Sequence, residues 1–168
     1  MKKILVLIVG ILIVACARES EQTTIKEREI QSTKENNQKF KLEKEYRVGD
    51  FILSFKDVYV TDATTDDKAM VFEYDFKNEA DFITSPYHAL SMKAYQDGKM
   101  TKDSIAVEGI DFDKETDNLE QGETLESGYA VVAVKSLDRP IEIHIQNLYD
   151  PGENPLVFTI EYPSQYEK

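Results

Sequence analysis

Few residues in this 168-residue chain are of types that do chemistry, so their spacing decides what they can do. Cys16 is the single cysteine and has no internal disulfide partner; it directly follows the small residue Ala15. Its thiolate would be a strong nucleophile for alkyl transfer. His88 and His144 are the two histidines, the usual side chains for proton transfer or zinc ligation. Neither stands in an HExxH pattern, there is no GxSxG, and no Ser, Asp and His share a spacing that implies a triad. Acids gather in two stretches: Asp111, Asp113, Glu115 and Asp117 alternate through DFDKETD, and Asp62, Asp66 and Asp67 cluster in TDATTDDK. Calcium takes roughly six to eight oxygens, which carboxylate-rich loops can supply. Neither stretch fits the EF-hand loop, which sets acids at fixed positions around a glycine. Solvated loops are therefore the expectation, with no enzyme, no catalytic residue and no metal ligand assigned. Binding of cations or metal through these Asp-rich loops is the alternative.

The elements around Cys16 read as an export signal. Lys2 and Lys3 precede the almost wholly apolar run Ile4 to Val14. Such a run, rising about 1.5 Å per residue, spans only about half of a bilayer's hydrocarbon core as a helix. A positive start, a short apolar core and a small residue before the cut describe a secretory signal rather than a membrane-spanning helix. Ile13-Val14-Ala15-Cys16 resembles the lipobox of bacterial lipoproteins. That resemblance implies a thioether-linked diacylglyceryl group on Cys16 and cleavage after Ala15, so that residues 1–15 are the signal peptide. No other cofactor is expected. Two acyl chains, each contributing about 0.8 kcal/mol per buried CH₂, hold stably where one would not.

Beyond Cys16 the texture changes twice. Residues 16–47 are dense in mixed charge, lack Pro and Gly, and carry scattered apolar residues. They are expected to be a tether between membrane and domain. From Val48 the strand period takes over. Phe51, Leu53 and Phe55 alternate, and a slip of phase at Lys56-Asp57 suggests a bulge before Val58 and Val60. Met70, Phe72, Tyr74 and Phe76 alternate strictly with Val71, Glu73, Asp75 and Lys77. Leu90, Met92 and Ala94 repeat the period and run into Gln96-Asp97-Gly98-Lys99, a type I′ hairpin signal. A short strand is expected near Ile105–Val107. Tyr129 to Val134 is apolar at every position, which fits either a strand covered on both faces or one with small residues facing out. Ile141, Ile143 and Ile145 alternate, as do Leu156, Phe158, Ile160 and Tyr162, with Pro163 closing the last strand. About seven strands in residues 48–163 predict an all-β antiparallel sandwich, with 164–168 as a tail.

FEYDFKN at 72–78, AYQDGK at 94–99, QGETLESGYAVVAV at 121–134 and IEIHI at 141–145 together resemble an uncharacterised family of lipoproteins from Gram-positive bacteria. Its domain is of the unknown-function type, with an immunoglobulin-like β-sandwich. The resemblance covers about residues 48–163. It implies a fold and an address, the outer face of the cytoplasmic membrane, but no activity and no site residue. The Cys…Trp…Cys core of antibody domains is absent, since the chain has no tryptophan.

Charge narrows the partners. Residues 48–168 hold ten Lys/Arg against twenty-five Asp/Glu, a net of −15, whereas 17–47 carry eight against seven. Such a field repels nucleic acid and attracts cations and basic proteins. The expected partners are the membrane, through the lipid, and a basic extracellular or envelope protein; nucleic acid is not one, and the chain is expected to be monomeric. The function expected is a non-catalytic binding or accessory module. The Asn78–His88 connection is longer than a strand link needs, and Asp81, Tyr87 and His88 are its candidate binding residues. Tyr149 and Tyr166, outside the alternating strands, are further recognition candidates. Replacing Cys16 with Ser is expected to release the protein from membranes or leave its leader uncleaved. Membrane fractionation with mass measurement reads this directly, and unchanged retention with normal cleavage would contradict the lipid anchor.

Overall fold

Strict alternation makes each strand a two-faced ribbon, and the only way to dry the apolar faces is to press two sheets together. The computed structural model describes residues 37–65, 67–102 and 105–168; Cys16, its leader and Asp66 lie outside them. Nine strands follow in order: β1 (Asn37–Lys39), β2 (Glu45–Val48), β3 (Phe51–Asp62), β4 (Lys68–Asn78), β5 (Leu90–Gln96), β6 (Lys99–Met100), β7 (Thr124–Val134), β8 (Ile141–Asn147) and β9 (Leu156–Ile160). A one-turn helix, α1 (Pro86–Ala89), precedes β5, and a 3₁₀ turn spans Asp113–Thr116.

One sheet has the order β1-β9-β8-β5-β6 and the other β2-β3-β4-β7. The expected all-β sandwich is the observed architecture. Its connectivity follows the immunoglobulin plan: β3, β4 and β7 take the places of strands A, B and E, and β5, β8 and β9 those of C, F and G. All pairings are antiparallel except β1 with β9. The slip at Lys56-Asp57 is a bulge between Phe55 and Asp57 against β4. Asp97 and Gly98 both have positive φ, 53° and 69°, as a type I′ turn demands. A second bulge, between the pairs Tyr74↔Gly128 and Phe76↔Leu125, places Ser127 at φ 57°.

The core is aromatic where the sheets face each other. Phe55 and Phe72 from one sheet meet Phe158 of the other edge to face, with centroids 5.6 and 6.4 Å apart. Phe51 stacks on Phe76 at 5.4 Å near one end. Ile141, Ile143 and Ile145 are fully buried opposite them.

Two expectations need correction. The folded region begins at least at residue 37, not at 48. Phe40 packs on Phe158 at 4.9 Å and on Phe55 at 5.5 Å, and Tyr46 is 1% exposed, its hydroxyl accepting the Lys41 N–H at 2.6 Å. A window rich in Lys and Glu hid these two aromatics, although each fills core space. Ile105–Val107 is not a strand, because the acid-rich connection it belongs to makes no ladder there. The uniform apolarity of β7 has the first of its two explanations at the strand's C-terminal end, where Val132, Ala133 and Val134 are buried in succession, although β7 is the edge of its sheet.

Replacing Tyr46 with Ala is expected to lower stability by about 3 kcal/mol, the scale of emptying a buried aromatic site. A tether residue would cost less than about 0.5 kcal/mol. Urea unfolding of the two proteins distinguishes the cases.

Candidate functional site

The connection between β4 and β5 is held by a buried amide. Asn78 is fully buried, and its Nδ2 donates to the carbonyls of Phe82 at 2.8 Å and Leu119 at 3.0 Å, while its Oδ1 accepts the Ala80 N–H. Thr84 and Leu119 then exchange backbone hydrogen bonds at 3.2 and 2.7 Å. These contacts tie the loop before α1 to the segment before β7. They bring α1 beside the 3₁₀ turn Asp113–Thr116.

Beneath those two turns the sandwich is open. A groove of about 840 Å³ lies between β5 and β7, within the roughly 300–1,000 Å³ usual for small-ligand sites. Its apolar lining includes Leu53, Met92, Phe112 and Ile145, with Tyr87, His88, Asp113 and Glu115 at the turns above. The helical turn thus carries two of the three expected binding residues to the groove and sets them beside an acidic stretch that sequence could not choose. Asp81 is exposed on the 79–85 loop and does not reach it.

Glu115 is the residue that sequence misread. It looks like one member of a solvated alternation, yet it is 7% exposed. Its Oε2 accepts the Tyr74 hydroxyl and its Oε1 accepts the Tyr129 N–H at 2.6 Å. Gly128 makes room for it: a Cβ there would sit 2.5 Å from Glu115 Oε1 and 2.9 Å from Leu125 Cδ2. The clue available in sequence was this lone glycine inside a strand, a sign of close approach. Burial raises the Glu115 carboxyl above its ordinary range, with the two hydrogen bonds opposing the shift in part. Burial, with the adjacent carboxylate, holds the Tyr74 phenol well above its own.

The remaining candidates disperse. Asp111 Oδ1 accepts the Asp113 N–H at 2.9 Å and so starts the 3₁₀ turn. Asp62 pairs with Lys68 at 3.0 Å and Asp67 with Lys102. Among the described residues no three His, Cys, Asp or Glu side chains gather as metal ligands. His144 lies on the outer face of β8, tilted over Tyr95 at 4.5 Å and 3.3 Å from Glu142. His88 Nδ1 meets Ser85 Oγ at 2.9 Å, but Ser85 is fully buried behind α1 and is not part of the groove. Tyr149 bonds Thr84 Oγ1 at 2.9 Å and packs on Phe82 at 4.7 Å, and Tyr166 lies half-buried against the core. Tyr87 is the tyrosine left open at the groove, 66% exposed.

A raised carboxyl binds its proton more tightly folded than unfolded, so its contribution to stability is full at low pH and falls as pH climbs from the unfolded value through the folded one. Glu115→Gln is therefore expected to gain in melting temperature relative to the parent as pH rises above about 4.3, the ordinary glutamate value. Paired thermal melts from pH 4 to 8 test this. A difference that does not change with pH would contradict it.

A family model described as a domain of unknown function (DUF5067) matches residues 25–147. The match starts ahead of β1, in keeping with a fold that includes residues well before 48. No curated protein and no solved structure matches the chain.

Proposed function

We propose that this chain, which belongs to the DUF5067 family, is a lipid-anchored surface protein whose sandwich serves as a non-catalytic binding module, with the β5–β7 groove as its receptor site. The observation that carries this reading is the convergence of two separate segments on one opening. Asn78 and the Thr84–Leu119 pair fold the 79–85 loop so that α1 and the 3₁₀ turn border the same apolar groove. Loops held on a rigid sheet scaffold are where binding residues concentrate. Export and lipidation at Cys16, on the extracellular side of a Gram-positive membrane, rest on the leader and lipobox resemblance and complete the proposal.

Two features support binding without catalysis. Both Glu115 oxygens already accept a hydrogen bond, one from the Tyr74 hydroxyl and one from the Tyr129 N–H, so the carboxyl is held in a structural role. Ser85 and His88 touch, but the hydroxyl is enclosed and is not presented to the groove. The acidic surface selects for a partner with positive charge beside apolar groups.

The full chain, used as bait against envelope and secreted fractions, is expected to capture a specific basic partner at low salt and less of it at high salt, since exposed charges are screened beyond about 8 Å at physiological ionic strength. Met92 lines the groove from β5 and by the strand's period faces inward with Ile145, so Met92→Trp fills the opening from its β5 wall. Capture is expected to fall with this variant and to be indifferent to chelator. Equal capture by both baits would remove the groove from the proposal.

A further inference from the structure

Among the described residues β7 has a strand neighbour on one side only. The immunoglobulin plan sets a fourth strand, D, against this edge. Here the connection that reaches β7 from β6 has no strand there among its described residues; it lays the 3₁₀ turn Asp113–Thr116 over one end of the edge instead.

The backbone direction along that edge follows from the ladder. In an antiparallel pair, successive residues present their N–H and C=O alternately to the partner and away from it. The Tyr129 N–H goes to Glu115, hence away from β4. Val131 lies two residues on, in unbroken register with Val71, so its N–H and C=O face the same open side. It is half-buried and lines the groove. A polar backbone edge thus runs beside an apolar cavity.

We infer that the groove takes an extended basic–apolar peptide segment of a partner protein, which joins the edge of β7 at Val131 as the missing strand D. This rests on the binding-module reading and specifies its partner. A strand needs no particular sequence to satisfy edge donors and acceptors, and its period of two sends alternate side chains to opposite faces. One set enters the cavity toward Leu53, Tyr74 and Ile145. The other lies over the outer face, where Glu73 is the cross-strand neighbour of Tyr129 and Asp113 stands at the groove. Those acids, within a domain of net charge −15 over residues 48–168, complement lysine or arginine at the alternate positions. Glu115 Oε1 occupies the place on Tyr129 that a carbonyl of an added strand would take, so it sets where the paired stretch starts.

The test pans a display library of random linear peptides against the full chain in detergent, then measures the selected peptides by titration. Recovered sequences are expected to alternate apolar with basic residues, to lose binding to Met92→Trp, and to slow hydrogen exchange at the Val131 amide. Methylating alternate backbone nitrogens of a selected peptide leaves its side chains unchanged but removes strand pairing, and is expected to cost at least about tenfold in affinity, the scale of one or two lost hydrogen bonds. Val131→Pro, at a position whose N–H gives nothing to β4, is expected to keep the fold by circular dichroism and to weaken the same peptide. Should Val131→Pro fail to fold, the methylated peptide decides alone. Equal binding of methylated and parent peptides would overturn strand addition while leaving the groove as a binding site. A library that yields no groove-dependent peptide would also overturn it, whereas loss of groove-dependent capture in the envelope experiment would sink the binding module itself.

Discussion

A carboxyl group taken out of water must be given partners or must keep its proton, and Glu115 is the one carboxylic acid buried among the described residues. Its two oxygens join three pieces of chain remote in sequence: the 3₁₀ turn that carries it, β4 through Tyr74, and β7 through the Tyr129 backbone. Asn78 and the Thr84–Leu119 pair anchor the segment that follows the 3₁₀ turn, while that link fastens the turn itself to the sheet edge. With it, the turn becomes one border of the groove, and Gly128 is explained as the position that lets the carboxyl approach. The acidic border of the groove depends on this desolvated side chain, as its other border depends on the buried Asn78 amide.

The same contact deals with a general hazard of sheets. An exposed edge invites pairing with any other extended chain, and proteins blunt it with charge, bulges or a covering segment. The β7 edge uses all three at one end: the bulge at Ser127, the covering 3₁₀ turn, and a carboxyl placed on a backbone donor. On the other side of the sheet β2 is only four residues long, and Tyr46 locks it from within by bonding to Lys41. Among the described residues that protection stops short of Val131, and this part of the edge coincides with the cavity.

Much of the fold was legible because its strands obey a period that burial imposes. Phe72, Tyr74 and Phe76, the three isoleucines of β8, the slip at Lys56-Asp57 and the Asp97-Gly98 turn all read correctly from spacing alone. What failed was judged by composition. Phe40 and Tyr46 sit among lysines and glutamates, so local hydrophobicity was low, although two aromatics suffice to close one side of a core. Glu115 was hidden for the same reason, since alternating acids look solvated until a long-range hydrogen bond sets one apart. The site was half legible. Tyr87 and His88 stood out because their connection was too long for a simple link, but the partner segment at 113–116 is adjacent only after the chain has crossed between sheets.

The pairing of β1 with β9 has a mechanical side. The two strands run parallel over Asn37↔Val157, Gln38↔Phe158 and Lys39↔Thr159, so the beginning of one lies beside the beginning of the other. Pulling the chain backward from residue 37 while the rest of the sandwich is held would slide β1 along β9 and strain all three contacts together. An antiparallel hairpin pulled open at its ends would instead surrender its bonds one after another. Behind β1 stands Phe40, wedged among Phe55, Phe72 and Phe158, which must leave the core before the load can reach β2. The N-terminal strand is therefore arranged to resist tension in shear, with an aromatic plug as its stop.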